Sequence, residues 1–136
     1  EITDARMTRF NIELDQAIEL SIKCLKNMYG GELFVPKLKS YKVMDLAKAI
    51  NIKNKVKLIG IRPGEKLHEE MISSADSLNT FELKNLFVIV DPSNEKLNRK
   101  FNKFRKMKPN YSYNSFDNPD YLNKTQLKKI ISNYIK

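Results

Sequence analysis

Apolar and polar residues alternate over residues 7–14, where Phe10, Ile12 and Leu14 are set against Asn11 and Glu13. This two-residue period predicts a strand. Asp15 stands where a helix cap belongs. Ile18, Ile22, Leu25 and Tyr29 then recur at helical spacing, predicting a helix to about Met28 that buries this stripe. Gly30-Gly31 supplies a left-handed stop. Leu33-Phe34-Val35 reads as a short buried strand ended by Pro36. Ser40 is the expected cap of a second helix with Val43, Leu46, Ala47 and Ile50 on one face. Residues 56–61 predict a strand broken at Arg62-Pro63-Gly64, and residues 66–72 a short helix.

In the second half, residues 86–90 read as a buried strand stopped by Asp91-Pro92. Residues 94–109 have weak periodicity and read as a basic surface segment. Residues 111–115 alternate like an edge strand. Asn123 caps a terminal helix carrying Leu127, Ile130, Ile131 and Tyr134. No internal repeat is present. The order of elements is that of an α/β chain, with three stretches at residues 1–92, 93–110 and 111–136. It lacks the opening glycine-rich strand–turn–helix of a dinucleotide-binding fold.

A length of 136 residues suits one modest domain or a piece of one, and its 41% of hydrophobic residues recur from end to end, which argues against disorder throughout. No apolar run approaches the roughly 20 residues of a membrane span. The acidic, polar opening Glu1-Ile2-Thr3-Asp4 does not read as a signal peptide. A lone cysteine, Cys24, excludes an internal disulfide framework and a cysteine-built zinc site, and a cytoplasmic location is expected. Because the sequence starts at Glu1 rather than Met, we read it as a fragment.

The net charge of +9 is unevenly spread. Residues 37–66 carry nine Lys or Arg against Asp45 and Glu65, and residues 96–108 carry basic residues with no acid. Such patches raise the question of nucleic acid, with Phe101 and Phe104 interleaved for stacking. The simpler reading is a solvated surface, with both phenylalanines in the core.

Candidate chemistry is sparse. There is no GxSxG, no P-loop, no YxxxK pair and no histidine cluster. His68 reads as a surface or packing residue, Cys24 as a small core residue, and the adjacent Glu69 and Glu70 as solvated groups splayed by a helix. We assign no catalytic residue and no metal ligand. The informative stretch is Ile59-Gly60-Ile61-Arg62-Pro63-Gly64-Glu65-Lys66, in which a strand delivers Arg62 to a fixed turn. Its planar fork then suits an oxyanion, the N–H groups of the following helix lie nearby, and Glu65 suits a diol such as ribose. A plain turn with Arg62 paired to Glu65 fits the spacing equally well. Arg9, ahead of the first strand, is a second candidate, since two arginines at strand ends can hold one diphosphate.

Several segments together carry a family resemblance: Ile2-Thr3-Asp4-Ala5-Arg6-Met7-Thr8-Arg9-Phe10, Gly30-Gly31-Glu32-Leu33-Phe34-Val35-Pro36-Lys37, the helix around Met44-Asp45-Leu46-Ala47, and Ile59 through Met71 with Arg-Pro-Gly-Glu-Lys-Leu-His-Glu-Glu at its centre. Tyr111-Ser112-Tyr113-Asn114-Ser115 and Asn118 extend it into the tail. The chain resembles the C-terminal part of the inverting UDP-N-acetylglucosamine 4,6-dehydratases, within the extended short-chain dehydrogenase/reductase superfamily. Pro36-Lys37 favours their soluble branch over related membrane-bound dehydratases.

The resemblance implies that Arg62 and Arg9 contact the substrate diphosphate and Glu65 the ribose, with Thr8 and Lys37 as weaker substrate-binding candidates. It implies a UDP-sugar ligand, and NADP, lyase chemistry and homo-oligomerisation for the full-length parent. No cofactor is expected on this segment, which lacks the family's glycine-rich loop and Tyr/Lys pair. Its expected partner is the missing N-terminal dinucleotide-binding half. Competing readings are a nucleotide-sugar 4-epimerase fragment, a basic nucleic-acid-binding module, and a non-catalytic remnant that mediates assembly.

Overall fold

The computed structural model describes residues 1–51, 53 and 55–134. In chain order these form β1 (Thr8–Asn11), α1 (Leu14–Asn27), β2 (Leu33–Pro36), β3 (Lys39–Lys42), α2 (Val43–Ile50), β4 (Glu70–Ile72), a 3₁₀ turn (Asp76–Asn79), β5 (Thr80–Glu82), β6 (Leu86–Ile89), α3 (Glu95–Phe101), β7 (Arg105–Lys106), β8 (Tyr113–Asn114) and α4 (Lys124–Ser132). The class is mixed α/β. The chain divides into two units interleaved in sequence, residues 1–11, 38–69 and 114–136 forming the first and residues 12–37 and 70–113 the second.

In the first unit β1 and β3 pair antiparallel, with Thr8 opposite Lys42 and Arg9 opposite Tyr41. Helix α2 packs against α4. Asn123 caps α4 as expected, accepting from the Gln126 N–H while the Gln126 side chain accepts from the Asn123 N–H. Met7, Leu122 and Leu127 are buried. The buried Asn118 amide donates to the Leu38 carbonyl and to Ser40 Oγ, tying the tail to the start of β3.

The second unit is built on the antiparallel sheet β2-β6-β5-β7. Its core joins Phe81, Val88, Val90, Leu97 and Phe101, with Phe34, Leu83, Leu86 and Phe104 packed around them. Leu97 and Phe101 come from α3, so two apolar residues of the segment expected to lie on the surface enter the core while its basic residues stay exposed. Two apolar residues four apart suffice to seat about two turns of helix. With Phe101 buried, this ring is not available to stack on bases, which removes half of the aromatic argument for nucleic acid.

Other expectations also shift. Ser40 lies inside β3, and α2 begins after Lys42. Helix α1 starts after Glu13 rather than Asp15, with the Gln16 side chain accepting from the Glu13 N–H. The stripe expected to be buried on α1 is exposed, with Ile18 at 49% and Leu25 at 69%. The partly buried positions are Ala17, Leu20 and Cys24 instead. The apolar residues of α1 share one broad arc, and periodicity alone does not select which part of that arc is covered. Over residues 56–61 the ladder reduces to one parallel bridge, Ile2 to Leu58. Among the described residues no helix is long and apolar enough to cross a membrane.

Phe81→Ala should cost about 3–5 kcal/mol in a urea unfolding series, as expected for an aromatic removed from a core. Ile18→Ala, on the open side of α1, should cost less than about 0.5 kcal/mol.

Candidate functional site

Arg62-Pro63-Gly64-Glu65 closes a tight turn in which the Glu65 N–H donates to the Arg62 carbonyl at 3.0 Å. Pro63 presets its own φ, and Gly64 sits at φ +80°, where a side chain would be strained. The Glu65 carboxylate closes the turn from the other side. Its Oε2 accepts from the Arg62 backbone N–H at 3.2 Å, and its Oε1 from the Thr3 hydroxyl at 3.1 Å. Sequence left open a side-chain pair between Arg62 and Glu65. The structure has instead a side-chain-to-backbone contact, and the Arg62 guanidinium is exposed with no ion pair among the described residues.

The helix expected over residues 66–72 is absent. After the turn the chain bends at Leu67 and His68 before entering β4, and several of its backbone groups are met by distant neighbours. The Thr8 N–H donates to the Leu67 carbonyl, the Ser115 N–H to the Glu69 carbonyl, and the Glu69 N–H to Ser115 Oγ at 2.9 Å. A helix N-terminus is therefore not available to an anion here. Glu69 lies against Arg9 in the first unit, and Glu70 accepts from the Ser112 hydroxyl in the second.

Arg9 is brought to the segment that follows the turn. Its Nη1 donates to the carbonyls of Thr8 (2.7 Å) and Leu67 (3.2 Å), and its Nη2 to that of Lys66 at 3.0 Å. Nη2 also meets Met7 Sδ at 3.7 Å, and Nε lies 3.3 Å from Glu69 Oε1. Burial pushes the phenol of Tyr41, the cross-strand neighbour of Arg9, above its ordinary range, while the positive charge of Arg9 pulls the other way.

Thr8 faces inward and is 1% exposed. Its hydroxyl bonds His68 Nδ1 at 2.8 Å and Ser115 Oγ at 2.7 Å, and the His68 ring lies 4.6 Å from that of Phe116. Tyr121 Oη donates to the Ser115 carbonyl at 2.6 Å. A buried polar knot thus joins residues 8, 68 and 115, drawn from three separate stretches of sequence. His68 is a packing residue, as expected, with a defined polar partner besides. Lys37 lies in the second unit, where its ammonium pairs with Glu82 at 2.8 Å and sits over the Phe87 ring.

Asp4, at the entry to β1, accepts from the Arg6 side chain and backbone N–H. These bonds, with the charges of Arg6 and His68, hold its carboxyl at about 2. Arg9, expected ahead of the first strand, lies inside β1, and Arg62 follows a single bridge rather than a strand. Thr3, Glu69 and Ser115 carried no local signal, because their contacts are with partners tens of residues away.

Among the described residues, no group of three His, Cys, Asp or Glu is placed to hold a metal ion. The four glycines sit at positive φ, none of them between a strand and the helix that follows it, so the described residues form no glycine-built cradle for a dinucleotide pyrophosphate.

Residues 1–91 match the family described as "Polysaccharide biosynthesis protein". The chain is 43% identical to the UDP-N-acetylglucosamine 4,6-dehydratase (inverting) of Campylobacter jejuni subsp. jejuni serotype O:2, over 96% of this chain and 41% of that protein. A UDP-glucose 4-epimerase of Rickettsia bellii is 35% identical over 65% of this chain and 27% of its own length. Among solved structures, the X-ray structure of Pen from Bacillus thuringiensis superposes with a TM-score of 0.76 at 33% identity, covering 97% of this chain and 39% of that one. The chain thus spans about two-fifths of the dehydratase's length.

Thr8→Val should destabilise the protein by about 1–3 kcal/mol in thermal unfolding, since His68 Nδ1 loses its hydroxyl partner and Ser115 Oγ keeps only the Glu69 N–H. A carboxyl NMR titration should find Asp4 half-protonated at about pH 2, and Arg6→Ala should move it up toward the ordinary 3.8. Because folding lowers this value, its stabilising share is complete above the ordinary value and lost as pH falls toward about 2.

Proposed function

The chain belongs to the polysaccharide biosynthesis protein family, and from that premise we propose that it is the UDP-sugar-binding portion of a C5-inverting UDP-N-acetylglucosamine 4,6-dehydratase. The observation that carries this reading is the Arg62 side chain, whose backbone is locked in the turn while its guanidinium is exposed and without an ion pair among the described residues. A pre-positioned, uncommitted fork of donors suits a phosphate, which it can meet with two parallel N–H···O bonds. Glu65 keeps acceptor capacity beyond its bonds to Thr3 and the Arg62 N–H, enough to take hydroxyl protons from a ribose diol. Arg9 is the second diphosphate ligand in this reading. Thr8 acts behind it, fixing β1 through His68 and Ser115. Lys37 has its charge answered by Glu82, and we give it a supporting role in the second unit.

Binding at Arg62 and Glu65 orients the sugar, and anchoring energy of this kind lowers the barrier to a reaction carried out by other groups. The redox and elimination steps belong to an NADP-binding portion, since the described residues offer neither a dinucleotide cradle nor a catalytic acid–base pair. The open apolar side of α1, with Leu14, Ile18, Ile22 and Leu25 exposed, suits packing against such a portion. We place the protein in the cytoplasm, in line with its free thiol at Cys24. The dehydratase reading is favoured over the epimerase because similarity to the former extends through 96% of the chain and to the latter through 65%.

Arg62→Ala should weaken UDP binding by about 1.5–3 kcal/mol in isothermal titration calorimetry, with little change in unfolding temperature, because the guanidinium is exposed and forms no ion pair among the described residues. Unchanged affinity for UDP would remove Arg62 from the site.

A further inference from the structure

Among the groups around Arg9, Glu69 alone among the described residues forms an ion pair with it. The remaining partners are the carbonyls of Thr8, Lys66 and Leu67 and the Met7 sulfur, neutral groups fixed by the backbone and the core. We propose that Glu69 is a built-in competitor for Arg9, a carboxylate that occupies the guanidinium until the ligand's diphosphate displaces it. This rests on the reading of Arg9 as a diphosphate ligand.

Three features support exchange rather than a permanent pair. The Nε–Oε1 separation of 3.3 Å is longer than that of a tight charge-assisted bond, which lies at roughly 2.7–2.9 Å. The Glu69 side chain is 43% exposed against 23% for Arg9, so the carboxylate has water to swing into while the arginine stays in place. The Glu69 backbone is held from both directions by Ser115, so the side chain can leave without moving the segment that carries it. A phosphate and a carboxylate cannot share one guanidinium edge without repelling each other, so one of them must give way. In the absence of ligand, the pair spares Arg9 an unanswered charge and keeps its fork on residues 66–67, next to the Arg62–Glu65 turn.

Glu70 is the internal control. It is adjacent and carries the same charge, but bonds the Ser112 hydroxyl rather than Arg9. Calorimetric titration of UDP onto the 136-residue chain should show Glu69→Gln binding roughly two- to fivefold more tightly than the unmodified chain, the range set by loss of one partly exposed ion pair. Glu70→Gln should change affinity by less than about twofold, since a charge outside the contact is screened. Glu69→Asp keeps the net charge but shortens the reach, and should also tighten binding, which a general charge effect would not produce. If the unmodified chain binds UDP and Glu69→Gln matches it, or matches Glu70→Gln, the competitor role is overturned while the UDP-binding reading stands. If none of the four proteins binds UDP, that reading fails and the competitor role fails with it. Binding by Glu69→Gln alone would support both.

Discussion

Residues 66–69 form neither helix nor strand, and what surrounds the candidate site follows from how distant residues meet their backbone groups. A helix would have satisfied these groups internally. Here Pro63 and Gly64 turn the chain out of helical geometry, and the groups beyond the turn are taken up by Thr8 on one side and Ser115 on the other. Arg9 adds its guanidinium to the carbonyls of Lys66 and Leu67. The segment that carries Arg62 and Glu65 is therefore fixed by residues more than 40 positions away in sequence. The first ten residues run beside it, from the bridge at Ile2 through the Thr3–Glu65 bond to Arg9.

This arrangement separates two tasks that both fall to arginine. Arg9 has its donors spread over backbone carbonyls and one carboxylate, so it organises the site even with no ligand. Arg62 does the reverse: its backbone is organised and its guanidinium is left over. A protein gains little stability from leaving a charge exposed in this way, and loses little either, because water solvates it well. Such a group is retained at low cost. Buried hydroxyls supply the rigidity behind it. Thr8, Ser40 and Ser115 are all fully buried, and each has named hydrogen-bond partners, as burial of a polar group requires.

The second unit shows the ordinary apolar logic. Phe81, Val88 and Phe101 make its core, and basic residues of the segment from 95 to 106 lie outside, with Lys100 over the Tyr29 ring and Arg105 beside Glu82. The positive charge that first suggested nucleic acid is thus the solvated side of a helix and edge strand whose apolar residues point inward. Helix α1 is the exception, presenting a row of large apolar side chains to solvent.

Local sequence determined those features whose physics is local. The turn at Arg62-Pro63-Gly64-Glu65 was legible because proline and glycine restrict φ whatever surrounds them. The cap at Asn123 was legible because the side chain that satisfies the helix start lies within three residues of it. Strands β2 and β6 were legible as short, wholly apolar runs. The tertiary structure decided the rest. Residues 66–72 have a composition compatible with a helix, and Thr8, Arg9 and Ser115 give the non-helical form its hydrogen-bond partners. Helix α1 has one broad apolar arc, and only the neighbours of Ala17, Leu20 and Cys24 decide which part of it is covered. The pairing of Arg9 with Glu69 rather than with solvent could not be read from either residue, because it exists only once two segments nearly 60 residues apart lie side by side.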